Sequence, residues 1–371
     1  MGTVEQWRLG PGPSVPASSI YGFTTEAELG FLRWFLATQY TGEGAVVELG
    51  CALGRSTLAM LEGLAANAAA ASTRLFVYDI FEFDWWLLEQ YREQSGAPAG
   101  SLTEGGSFLE IFRSNLRRYE ERLEIRPGDV TAGKWSDGSI GFLFVDIMKS
   151  WSITRAVIEK FFPSLIPGRS LLVHQDYKHP FAPQILLTMY RLRDHFEPAW
   201  SVCGSGVSAT VAFRCVREIG RDEIAAALEA GLCDLRSYTI GEIEAALDHA
   251  LAIVAADPEA DLVRAARTVI YADLLAERPE YSIPAAKEEL VRRLVRERAR
   301  PYLVEGDAAL EQSRWAAEIA SLRATGDRLA AELSATDRGR REVQERLDAV
   351  MGSRRYRLAE ALAKLARPFR R

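Results

Sequence analysis

Val47-Glu48-Leu49-Gly50-Cys51-Ala52-Leu53-Gly54-Arg55-Ser56-Thr57 is the stretch on which the reading of this chain turns. An apolar run, AVVELG at 45–50, closes on an acidic residue and a glycine. A second glycine follows four residues later, and Ser56-Thr57 opens a helical pattern. Each part has a physical use. Glycine lets the backbone take positive φ and approach a ligand closely. A helix start presents unpaired N–H groups to a polar ligand tail. Ser56 or Thr57 is placed to cap that helix. The dinucleotide pattern GxGxxG needs a glycine at 52, where this chain has Ala52. An acidic residue ahead of the turn suits a cationic, amino-acid-like ligand better than a pyrophosphate.

Working outward, short β-branched or aromatic runs alternate with helical stretches. The strand candidates are 45–50, 74–80, 122–128, 140–147 and 170–177, nearly continuous apolar runs that suit a parallel sheet buried on both faces. The helices between them make βαβ crossovers. A weaker pair at 199–204 and 208–216, joined by a Gly-Ser turn, reads as an antiparallel hairpin at the end of the sheet. Upstream, Thr25 precedes a helical pattern with Leu29, Leu32, Phe35 and Leu36 on one face. Residues to about Pro16 are rich in Gly and Pro and read as a loose arm. The segment 81–120 is longer than a crossover needs. Its Phe81, Phe83, Trp85, Trp86 and Tyr91 suit a lid or substrate wall, or equally packing against the sheet.

Two further carboxylates follow the glycine turn. Asp79 ends the run LFVYD, where a carboxylate can accept both hydroxyls of a ribose, or cap a helix. Asp129, in Gly128-Asp129-Val130, can accept from an adenine amino group or form a turn. The series ELGCALGRST, VYD, GDV and FLFVDI, in that order, resembles the class I S-adenosylmethionine-dependent methyltransferases over residues 20–216. The resemblance implies that Glu48, Gly50, Gly54 and Ser56 surround the methionine part of the cofactor. It places Asp79 at the ribose, Asp129 near the adenine and Asp146 beside the cofactor.

Two later runs end in acids, FLFVD at Asp146 and LLVHQD at Asp176. Adjacent strand tips would bring both to one hard cation such as Mg²⁺, which activates a hydroxyl by lowering its pKa. Lys149 is a candidate general base, with His174 and His179 as rivals. The alternative is that both acids cap the helices after their strands. VDIMKSW followed by HQDY is similar to the metal-dependent O-methyltransferases, of catechol type and of the sugar-modifying type of macrolide and aminocoumarin pathways. That similarity implies metal ligation by Asp146, Asp176 and, where the sugar-modifying type has an Asp, Gln175. It assigns Lys149 the place of the catechol-type base. Tyr177 stands where that type has Asn, and Met148 where the sugar-modifying type has its Asp base.

The whole is an α/β, Rossmann-like, doubly wound and mostly parallel sheet over 1–216, with an arm at 1–20 and the insertion at 81–120. An all-α region at 217–304 and a coiled-coil helix with a basic tail at 305–371 follow. The heptad track is Trp315, Ile319, Leu322, Gly326, Leu329, Leu333, Thr336, Arg340, Val343, Leu347 and Val350. It points to homo-oligomers, a spacer or docking. The end, SRRYRLAEALAKLARPFRR, is basic and amphipathic, suited to an anionic membrane face or to solvent. It is similar to the tail that follows coiled coils in bacterial surface-polysaccharide glycosyltransferases and methyltransferases. That likeness implies a sugar or glycan acceptor and polysaccharide biosynthesis. A net charge of -6 argues against a nucleic-acid partner. Four cysteines without a CxxC pair, no secretory leader and no bilayer-length apolar run point to the cytoplasm, or its membrane face. The alternatives are a nucleotide-binding oxidoreductase on the same sheet, or a non-catalytic scaffold with a degenerate cofactor domain.

Overall fold

The computed structural model describes residues 4–8, 20–84, 87–89, 91–92, 102–180, 182–204, 208–264, 266–267 and 270. The chain divides into two compact units, Met1–Ile283 and Pro284–Arg371. The second, with the heptad track and basic tail, lies outside the described residues.

The expected strands are all present: β2 (Ala45–Leu49), β3 (Leu75–Asp79), β4 (Leu123–Pro127), β5 (Ile140–Val145), β6 (Leu171–His174), β7 (Phe196–Cys203) and β8 (Val211–Cys215). With β1 (Glu5–Arg8), they lie in one sheet in the order β1-β7-β8-β6-β5-β2-β3-β4. β4, β3, β2, β5 and β6 run parallel. β8 is antiparallel to both β6 and β7, as the hairpin reading required. The central strands are apolar on both faces because helices cover both.

β1 (Glu5–Arg8) corrects the reading of a loose arm: it pairs in parallel with the outer edge of β7, Glu5 opposite Trp200 and Arg8 opposite Cys203. Backbone pairing with an open edge outweighs the poor strand propensity of Glu-Gln-Trp-Arg. Trp7 adds a ring contact with Phe31 at 5.7 Å.

α1 (Glu26–Thr38) begins in a capping box: Thr25 Oγ1 accepts from the Glu28 amide at 3.3 Å, and Glu28 Oε2 accepts from the Thr25 amide at 2.8 Å. Its apolar face packs on α2 (Arg55–Ala66) and the sheet, with Phe35 5.4 Å from Phe142. α3 (Leu109–Leu116) follows the 81–108 connection. There Phe81, Phe83, Phe108 and Phe112 are buried and meet edge-on at 5.2–5.6 Å. These aromatics are core against the sheet. Trp85 and Trp86 lie outside the described residues.

α4 (Trp151–Phe161) and α5 (Pro183–Arg191) follow β5 and β6. The helical stretch expected after residue 217 supplies α6 (Arg221–Glu229), packed on α4, and α7 (Ile240–Ile253), packed on α5. Both belong to the first compact unit. Among the described residues no helix is long and apolar enough to cross a membrane.

The chain leaves β2 for β3 and β4 on one side and returns to β5 on the other. Strand order therefore reverses between β2 and β5. The crevice outside their carboxyl ends is where open α/β sheets bind ligands.

Candidate active site

The turn after β2 has the backbone its glycines suggest. Gly50 and Gly54 take φ 86° and 96°. A Cβ on Gly50 would lie 2.3 Å from Ile147 Cγ2, so no side chain fits between β2 and the loop after β5. Ala52, between them, is also left-handed at φ 45°. An L-residue there costs roughly 1–2 kcal/mol, and such strain gathers at ligand clamps.

Gly54 itself is the N-cap of α2, with no side-chain cap. Ser56 and Thr57 are turned inward instead. Their hydroxyls donate to Glu48 Oε1 at 2.5 Å and Oε2 at 2.6 Å. This corrects the capping role expected of them. Glu48 is fully enclosed, and burial pushes its carboxyl up to about 8 against those two hydrogen bonds, with the nearby Asp146 and Asp79 charges adding to the rise. It reaches a ligand only through the turn it braces.

Asp79, at the tip of β3, receives the turn. Its Oδ2 accepts from the Cys51 and Ala52 amides at 2.9 and 3.1 Å, and its Oδ1 from the Phe81 amide at 2.8 Å. Oδ2 is filled by these two amides and the Cys51 thiol, whereas Oδ1 keeps lone-pair capacity for a ligand hydroxyl. Ile80, next in the chain, is half exposed beside it. Asp129 is exposed and makes a turn, its Oδ1 accepting from the Thr131 amide at 2.7 Å, which holds its carboxyl below the usual range.

The tips of β5 and β6 bring the other predicted residues together. Lys149 Nζ donates to Asp146 Oδ1 at 2.9 Å and also pairs with Asp176 Oδ2. With its amide nitrogen inward, Gln175 donates to Asp176 Oδ1 at 2.7 Å and Asp146 Oδ1 at 3.1 Å. Asp176 is buried, and desolvation raises the carboxyl of Asp146 despite its Lys149 partner. The two carboxylates are hard-oxygen donors that fit Mg²⁺; Gln175 presents its nitrogen to them and would add its oxygen to such an ion only with the amide turned over, and the Lys149 ammonium now balances the acids. His179 lies in the field of Lys149, but burial is the main cause that drives it down to about 4.

His174 does not join them. It is fully buried, its ring 6.5 Å from Phe162 and 6.1 Å from Phe213, and neither ring nitrogen has a hydrogen-bond partner among the described residues. Desolvation drives it down to about 3, so it stays neutral. Tyr177 likewise packs on Phe213, at 5.0 Å, away from the acids.

A buried polar cluster beside this loop went unread in the sequence. Lys178, enclosed completely, donates to Val202 O at 3.0 Å and pairs with Asp257 Oδ2 at 3.2 Å and Glu259 Oε2 at 3.7 Å. Ser201, Cys203 and Gln6 also bond Asp257. Its members come from four distant segments, so spacing gives no sign of it; the one local sign is a lysine directly after the Gln-Asp-Tyr of a strand tip.

Residues 47–176 match the profile of a family described as a methyltransferase domain. No curated protein matches the chain. Among solved structures, that of the O-methyltransferase NovP is similar over 53% of this chain and 84% of its own at 17% identity, TM-score 0.39. CalS11, described as a TDP-rhamnose 3'-O-methyltransferase of calicheamicin biosynthesis, is similar over 50% and 76% at 16% identity, TM-score 0.35. An O-methyltransferase from Bacillus cereus in complex with SAH is similar over 54% and 84% at 16% identity, TM-score 0.35.

Proposed function

We propose that this chain, whose residues 47–176 match a methyltransferase domain family, moves a methyl group from S-adenosylmethionine to a hydroxyl of a sugar or other small or glycan acceptor. One observation carries the reading: the strained glycine turn braced on Asp79 and the Asp146–Lys149–Gln175–Asp176 group meet at the same carboxyl end of the sheet, on either side of the switch point.

Glu48 holds Ser56 and Thr57, and through them the turn. Gly50 and Gly54 leave room for the methionine portion, Asp79 accepts from the ribose hydroxyls, and Asp129 and Ile80 border the adenine. Asp146, Gln175 and Asp176 are the residues that would hold Mg²⁺. When bound, it would supply Lewis acidity that makes the acceptor hydroxyl a better nucleophile. In the transfer the acceptor oxygen forms a bond to the methyl carbon as the carbon–sulfur bond breaks, and that electron pair returns to sulfur. Lys149, released from the two carboxylates and having given its extra proton to solvent, accepts the hydroxyl proton as a neutral amine. His174 takes no part.

Calorimetry with S-adenosylhomocysteine tests the cofactor half. Asp79→Ala is expected to lower its affinity at least tenfold, about 1.4 kcal/mol; unchanged affinity refutes the assignment. Turnover that survives both EDTA and Asp176→Asn refutes the metal. The tail at 305–371 is read as an assembly helix that also touches anionic lipid at the cytoplasmic membrane face. Sedimentation of the full chain and flotation with anionic vesicles test those two readings.

A further inference from the structure

We propose that the cleft between Trp151 and residues 233–236 is the acceptor subsite and takes a pyranose ring; this rests on the methyl-transfer reading above. The cleft holds about 520 Å³ and is lined by Trp151, Cys233, Asp234, Leu235 and Arg236. That volume suits a whole small ligand.

Its place is right for an acceptor. Trp151 begins α4 only two residues beyond Lys149, so the two Cα atoms lie within about 7.6 Å. The opposite wall comes from the connection between α6 and α7, beyond the residues matched by the methyltransferase profile. The connection between the extra helices thus supplies one side of the cleft.

That wall is rigid. Arg191 donates to Gly231 O and Ser237 O, both at 3.0 Å, and stacks 3.5 Å over the Tyr238 ring. The Tyr238 hydroxyl donates to Leu232 O at 2.7 Å, and the ring stands 6.2 Å from Trp151. Arg236 is locked onto Asp234 through Nε at 3.0 Å and Nη2 at 3.2 Å. Both remain open to solvent, at 62% and 42% side-chain exposure.

The chemistry selects the ligand. An indole offers a flat apolar surface with a negative π-face, which suits the weakly positive C–H groups on one face of a pyranose. A fixed guanidinium–carboxylate pair offers planar donors and acceptors to adjacent hydroxyls.

Saturation-transfer NMR on the full chain tests this, with methyl α-L-rhamnopyranoside, methyl α-D-glucopyranoside and catechol as probes. S-adenosylhomocysteine calorimetry accompanies every protein form. At least one pyranoside is expected to receive saturation, and Arg236→Ala and Trp151→Ala to lower its affinity at least tenfold with S-adenosylhomocysteine binding unchanged. Arg236 is exposed, so its variant decides the matter even if the Trp151 variant fails to fold. Pyranoside signals that survive Arg236→Ala, or engagement of catechol alone, overturn the subsite. Loss of S-adenosylhomocysteine binding in every form, with an Arg236-dependent pyranoside signal intact, overturns the methyl-transfer reading and leaves the sugar site standing.

Discussion

Glu48 is a carboxyl enclosed without a cation, and it titrates accordingly. Its ordinary pKa of 4.5 rises to about 8 in the fold. Between those values the folded chain keeps a proton that the unfolded chain has lost, so Glu48 subtracts stability as pH climbs through that window. Glu48→Gln is expected to flatten that decline in a series of thermal unfolding curves; a slope identical to the parent's would disprove the burial account. His174 acts in the opposite sense. Its pKa falls from 6.5 to about 3, so the unfolded chain binds a proton the folded chain refuses, and stability is lost as pH falls from 6.5 toward 3. His174→Phe removes two unpartnered ring nitrogens among Phe162 and Phe213. It is expected to add about 1 kcal/mol near neutrality, to hold stability better in acid, and to leave methyl transfer intact. Loss of turnover in a folded variant would return His174 to the list of bases. The sequence displays both residues at strand tips but not which way they point. Glu48 was legible as an acid at the turn, read as facing a cationic ligand; that it is enclosed, and that Ser56 and Thr57 serve it and not the helix end, depends on packing.

Among the elements, the Arg55 side chain fastens the segment 20–26 over the start of α2. Arg55 donates to Ile20 O and Thr24 O at 3.1 Å and pairs with Glu26 at 2.6 Å. Arg55→Ala is expected to raise hydrogen-exchange rates at 20–25 tenfold or more while α2 stays protected. Equal rates in both proteins would show that the segment is held by its apolar contacts alone. The elements themselves were largely legible. Five buried strands announce themselves as apolar runs, and Thr25 with Glu28 announces α1. β1 was hidden, since four residues of mixed polarity become a strand only where an edge is free. The Arg55 clasp was hidden too, because two of its acceptors are backbone carbonyls that carry no sequence signal and the third, Glu26, lies 29 residues away.

At the scale of the whole molecule, the Lys178 cluster joins the loop carrying Asp176 to the segment at 257–259. Removing one partner leaves charge buried and unpaired, so Lys178→Met is expected to cost about 3–5 kcal/mol in chemical denaturation. Asp257→Asn added to it should recover part of the loss, a non-additivity that a double-mutant cycle reads directly. Simple additivity would mean the ion pair contributes nothing. The same cluster reaches Gln6, which bonds the Asp257 side chain, while Glu5 accepts from Trp200 Nε1 at 3.0 Å. Synthesis therefore delivers the outermost strand first and its neighbours some two hundred residues later. Residues 5–8 must wait for their partner strand while a ribosome makes the residues between them. A bulky fusion ahead of Glu5 would then disturb the last stage of maturation more than the first, and its mark would be slow gain of protection at 5–8 in a refolding experiment on an otherwise finished sheet.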